Sequence, residues 1–136
     1  MKKLKLDAFS PAEFRGLGIV SSEKDYRICF FLNKELDINL AKSEDISIFD
    51  PSQNKNQSVL CYIHQDAENG SKLYFMKNRQ DGFFVVPEMK QADFIFMEPG
   101  SQPDKMTDMK KTISKISQIQ GCFIIPPQNL KHIDAE

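Results

Sequence analysis

The chain has 136 residues, enough for one domain whose core needs neither disulfides nor metal. Apolar residues make up 40% and charged residues 27%, an ordinary globular balance that excludes wholesale disorder. A net charge of −1 and an isoelectric point near 6.1 exclude a global field drawing the protein to nucleic acid or to an anionic membrane.

The start, Met1 to Asp7, has basic residues but no following apolar run, so no signal peptide is read there. No stretch reaches the ~20 apolar residues of a membrane span, and a cytoplasmic location is expected. Leu4 and Leu6 alternate with Lys3, Lys5 and Asp7 as a short strand, which Phe9 to Pro11 breaks. Phe14 to Val20 reads as a second extended segment, with Gly16 and Gly18 marking a bulge or a close backbone approach. Ser22 with Asp25 three residues on reads as a capping box that opens a helix reaching Leu36. Tyr26, Cys29, Leu32 and Leu36 define its core face, with Ile28 and Asn33 at the margins. Phe30 and Phe31 fall outside that stripe.

Asp45 to Asp50 alternates as a strand and residues 50–56 form a polar turn or loop. Val59 to Gln65 is read as one strand. The Asn69-Gly70 turn signal joins it to Lys72–Lys77 as a hairpin. A turn at Gln80–Gly82 leads to a short strand, Phe83 to Val86, stopped by Pro87. Ala92 to Glu98 is a strand ended by Pro99-Gly100. Met106, Met109, Ile113 and Ile116 recur at helical spacing after Pro103. Gly121 ends that element, and Cys122 to Ile125 is a last strand before Pro126-Pro127. Residues 128–136 are expected to be a loose turn or a frayed helix. The element order predicts an α+β fold: a mostly antiparallel sheet with two helices packed on one face. A strand–helix–strand unit at each end suggests a ferredoxin-like variant with extra strands between.

Val86-Pro87-Glu88-Met89-Lys90-Gln91-Ala92-Asp93-Phe94 resembles the signature of a bacterial family named for its I-P-E-x-x-x-V-D-Y motif (IPExxxVDY). Pro87, Glu88 and Asp93 match outright, while Val86, Ala92 and Phe94 stand where the motif has Ile, Val and Tyr. Gly18-Ile19-Val20-Ser21-Ser22, Asp25-Tyr26-Arg27-Ile28-Cys29, Leu32-Asn33 and the opening Lys3-Leu4-Lys5-Leu6 are also similar to that family. The resemblance implies no activity, because none is assigned to the family. Its members are often encoded beside a ribonuclease III gene, which implies RNA-linked roles as something to test.

In the motif, Pro87 ends a strand and holds Val86 extended. Glu88 and Asp93 become carboxylates near strand ends, either fixing the connection or sharing a ligand or catalytic site. Arg27 is the candidate partner, since its fork can take a carboxylate in two parallel bonds. If buried, such a clamp would cost about 3–5 kcal/mol on losing one member.

Residue supply limits the enzyme readings. His64 is expected at the surface near a hairpin end, and His132 lies in the tail. There is no nucleophile elbow, no phosphate loop and no H-x-x-x-H spacing. Cys29, Cys61 and Cys122 form no C-x-x-C and are expected to be reduced and buried, so no metal and no cofactor is implied. A small enzyme would have to use Glu88 and Asp93 as its acid and base. An RNA-associated protein would need exposed strand aromatics, drawn from Tyr62, Tyr74, Phe75, Phe83, Phe84, Phe94 and Phe96. The favoured reading is a non-enzymatic interaction module. Phe30, Phe31 and the strand aromatics exceed what a small core hides, and a homodimer through the first helix or the open sheet face would cover them. A heterologous protein partner would do so equally well.

Overall fold

The computed structural model describes residues 14–68, 70–100 and 102–133. The strand expected around Leu4 and Leu6, the first residue of the Asn69-Gly70 turn and the end of the tail lie outside the described residues. In chain order the elements are β1 (Phe14–Val20), α1 (Asp25–Leu36), β2 (Ala41–Lys42), β3 (Ile46–Asp50), β4 (Lys55–Val59), β5 (Cys61–Gln65) and β6 (Lys72–Lys77). Then follow β7 (Arg79–Gln80), β8 (Phe83–Phe84), a 3-10 turn at Pro87–Met89, β9 (Phe94–Pro99), α2 (Pro103–Ser114), β10 (Gly121–Ile125) and a second 3-10 turn at Pro127–Leu130.

Six strands form one antiparallel sheet in the order β10-β1-β9-β6-β5-β2. The chain leaves β1 through α1, enters the sheet at its far edge in β2, and comes back through β5 to β6, which lies two places from β1 with β9 between them. It leaves β9 through α2 and returns in β10, with β1 between them. These interlocked split crossovers make the ferredoxin-like plan explicit, with β5 and β2 extending its far edge. Because neighbours run antiparallel, the ends of β1 and β6 and the starts of β9 and β10 meet at one end of the sheet.

Period-two alternation sorts the apolar side chains into two cores. Leu17, Ile19, Phe75, Phe94 and Phe96 face the helices, meeting Ile28, Leu32, Met106 and Ile113. Met76, Ile95 and Met97 face the other way and are covered by Ile48 and Val59 of the β3–β4 hairpin, by Val85, Val86 and Met89, and by Leu130 and Ile133. The sheet is therefore not open on its second face. Covering both faces is why Phe94-Ile95-Phe96-Met97 is a continuous apolar run rather than an alternating one. The tail is packed where looseness was expected, since Leu130 and Ile133 are buried in that second core.

Three local expectations change. The run 59–65 is two strands: β4 pairs with β3 in a separate hairpin, and at Leu60 the chain steps into the main sheet. The step is held by Leu60 N donating to Gln80 Oε1 at 2.9 Å. The N-cap of α1 is Lys24, with no side-chain cap bond, and Asp25 Oδ2 instead accepts from the Tyr62 hydroxyl at 3.0 Å. The buried stripe of α1 is Ile28, Cys29 and Leu32, which turns Tyr26 outward. Among the described residues no helix is long and apolar enough to cross a membrane.

Candidate functional site

The family-like segment folds as a short arch between β8 and β9. Pro87 lacks an amide and has its φ preset, so it starts a 3-10 turn after extended Val86. Met89 N donates to Val86 O at 3.0 Å and Ala92 N to Met89 O at 3.1 Å. The arch is anchored from beneath by Asn78, which is fully buried. Asn78 Nδ2 donates to Met89 O and Ala92 O, both at 2.9 Å, and its Oδ1 accepts from Val86 N at 2.8 Å. Its own N–H donates to Asp93 O at 2.9 Å and its carbonyl accepts from Val85 N at 2.7 Å. Every hydrogen-bonding group of Asn78 faces the arch, and each is matched.

Asp93 closes the arch onto β1. Its Oδ2 accepts from Ser21 N at 2.9 Å, and its own N–H donates to Ile19 O at 2.8 Å. Ser21 Oγ in turn donates to Gln118 O at 2.7 Å and accepts from Glu23 N at 3.1 Å. The cation beside Asp93 is Arg79, with Nη2 3.7 Å from Oδ1. Glu88 stands exposed on the 3-10 turn.

Arg27 is not brought to Glu88 or Asp93. Its Nε donates to Glu23 Oε1 at 2.7 Å, one helical turn back, and its guanidinium lies 5.5 Å from the centre of the Phe31 ring. With 51% of the Arg27 side chain exposed, this is a surface pair. Arg27→Ala is therefore expected to cost under about 1 kcal/mol in chemical denaturation, far less than the buried clamp anticipated from sequence. Phe31 is half-buried against the helix-side core, whereas Phe30 is 62% exposed and Tyr26 59% exposed.

The remaining chemistry-bearing side chains serve the frame. His64 Nδ1 accepts from Asn39 N at 2.9 Å, and His132 Nε2 donates to Val85 O at 2.6 Å. Burial pushes the Cys61 and Cys122 thiols up to about 11 and Cys29 further still, so none is a thiolate near neutrality. Burial, followed by the bond to Asp25, raises the Tyr62 hydroxyl likewise. No group of three or more His, Cys, Asp or Glu able to hold a metal occurs among the described residues. Of the strand aromatics expected from sequence, Tyr74, Phe75, Phe94 and Phe96 are buried, and Tyr62, Phe83 and Phe84 are half-buried; the exposed strand aromatics are Phe49 on β3 and Phe123 on β10 among the described residues.

At the sheet end where β1 and β6 finish, an open cleft of about 600 Å³ lies beside the arch. Val20 and Phe94 give it an apolar lining, Lys77 and Arg79 its cations, and Glu23 and Asp93 its carboxylates, with Ser21 and Ser22 beside them. Sequence reasoning missed Ser21, Lys77, Asn78 and Arg79. The available signal was Asn78 itself, an amide residue interrupting a strand between two cations. Compared with family models, with curated proteins and with solved structures, the chain matches none.

Proposed function

We propose that the chain is a non-enzymatic, cytoplasmic interaction module that pairs with a second copy of itself through the outer face of α1. We also propose that it belongs to the I-P-E-x-x-x-V-D-Y family it resembles. The observation that carries the first reading is the exposed aromatic pair Tyr26 and Phe30 on a helix whose opposite side fills the core. Positions 26, 30 and 34 follow one another at a spacing of four along that outer face. With two α1 helices antiparallel and Phe30 on the twofold axis, Tyr26 comes opposite the partner's Lys34, and Lys34 opposite the partner's Tyr26. A twofold interface needs such self-complementarity, and each ammonium then gains a ring face, worth about 0.5–1 kcal/mol per pair.

The rest of the molecule supports binding over chemistry. Asp93 is committed to Ser21, and His64 to the loop after α1. Both sheet faces are covered, which favours a protein contact over base stacking. Phe30→Asp is expected to give a monomer in size-exclusion chromatography with light scattering at about micromolar concentration, where the wild type is dimeric. Phe49→Asp, an exposed aromatic on the β3–β4 hairpin, should leave the dimer intact. A dimer that survives Phe30→Asp, or that responds equally to both changes, contradicts this interface.

A further inference from the structure

We propose that the cleft at the end of β1 and β6 binds a small organic anion, the shared chemistry being a phosphate monoester or a carboxylate held by Lys77 and Arg79. This site is separate from the α1 face and does not depend on self-association. Asn78 is bonded through every polar group it has, so the backbone between the two cations is rigid. Arg79 follows that anchor directly and Lys77 precedes it, and both line the same cleft.

The acidic groups of the cleft are already engaged, whereas among the described residues the cations are held by no more than the long Arg79–Asp93 contact. Asp93 Oδ2 accepts from Ser21 N, and the Glu23 carboxylate is taken by Arg27 at 2.7 Å. Arg79 reaches Asp93 only at 3.7 Å and keeps 58% of its side chain exposed. Lys77 makes no ion pair among the described residues. One ammonium and one guanidinium fork thus face a concavity of about 600 Å³, within the roughly 300–1,000 Å³ of small-molecule sites. A guanidinium takes a planar or tetrahedral oxyanion in two bonds, and the adjacent ammonium adds a point charge. The exposed Ser22, which also lines the cleft, supplies a hydroxyl, and Val20 and Phe94 an apolar surface for the carbon part of the ligand.

The test is a titration of the isotope-labelled full chain, followed by backbone amide shifts, with four probes: inorganic phosphate, adenosine monophosphate, citrate and a short single-stranded RNA. Saturable shifts at Ser22, Lys77 and Arg79 with a phosphate or with citrate are expected, and the two arms tell the phosphate source from the carboxylate source. Lys77→Gln/Arg79→Gln should weaken that binding at least about tenfold. Its melting temperature should stay near wild type, because neither cation is buried. No saturable shift with phosphate, monophosphate or citrate overturns the proposal. So does unchanged affinity in the folded double variant, or binding by the RNA alone.

Discussion

Asn78→Leu is expected to be among the most damaging single substitutions in this chain, costing about 3–5 kcal/mol. Leucine shares asparagine's branched skeleton and is the bulkier of the two, so no cavity is left behind. The loss comes from polar groups. Met89 O, Ala92 O and Val86 N would each keep their buried position and lose the partner that Asn78 supplies. A buried group left unsatisfied costs about 1–3 kcal/mol, and two such groups, Ala92 O and Val86 N, share one short arch, while Met89 O keeps the Ala92 amide. Asn78→Asp should be at least as harmful, because a carboxylate would face two carbonyl oxygens that now receive N–H groups. For a domain of this size the melting temperature should fall by roughly 10 °C or more. Urea unfolding with a loss below about 1 kcal/mol for Asn78→Leu would show that the arch is held by its apolar contacts instead.

Gly16→Ala should be the second large effect, and its ordering against Gly18→Ala is the informative part. A Cβ on Gly16 would meet Met97 Cβ and the Phe96 carbonyl oxygen at 3.0 Å, and Leu130 Cδ1 at 3.3 Å. Gly16 pairs directly with Met97 in the ladder, so the offending carbonyl belongs to the neighbouring strand and no rotamer change relieves it. A cost of about 2–3 kcal/mol is expected, at the upper end for overpacking a core. At Gly18 the nearest atoms are Ala92 Cβ at 3.1 Å and Met89 Sδ at 3.4 Å, both side-chain atoms of the arch. Methionine can swing aside, so Gly18→Ala should cost closer to 1 kcal/mol. If Gly16→Ala proves neutral or stabilising, the gain from a stiffer unfolded chain would exceed the clash, and the close approach would not be a constraint.

The same residues explain what the sequence discloses and what it withholds. The two helices were legible because Met106, Met109 and Ile113 repeat at helical spacing, as do Cys29, Leu32 and Leu36. Tyr26 was misplaced because a spacing of three or four residues also places it near Cys29. Only the sheet beneath decides which edge of the stripe is covered, and Asp25, bonded to Tyr62, sits nearer its centre than Tyr26 does. The break at Leu60 was invisible, since residues 59–63 form an unbroken apolar run while the chain passes from one sheet to another. Its determinant, Gln80, lies 20 residues away. The covered second face depends on the β3–β4 hairpin, the arch and the tail, three short segments far apart in sequence. None has a periodicity that names its target. In the motif, Pro87 announced a strand end from its own chemistry. The partner of the arch is Asn78 rather than Arg27, because satisfaction of buried amides is a property of three-dimensional packing and leaves no pattern in the chain.

The proposed pairing turns the outer face of α1 to a second copy. It is tested most directly by recording backbone amide spectra of the isotope-labelled wild-type chain across a dilution series from about millimolar to micromolar. Self-association through this helix predicts concentration-dependent shifts at Tyr26, Arg27, Phe30 and Lys34 that follow one binding curve, with the arch and the β3–β4 hairpin unmoved. Spectra that do not change on dilution would contradict the claim. So would shifts that gather on another exposed apolar pair, such as Phe123 and Ile124 of β10.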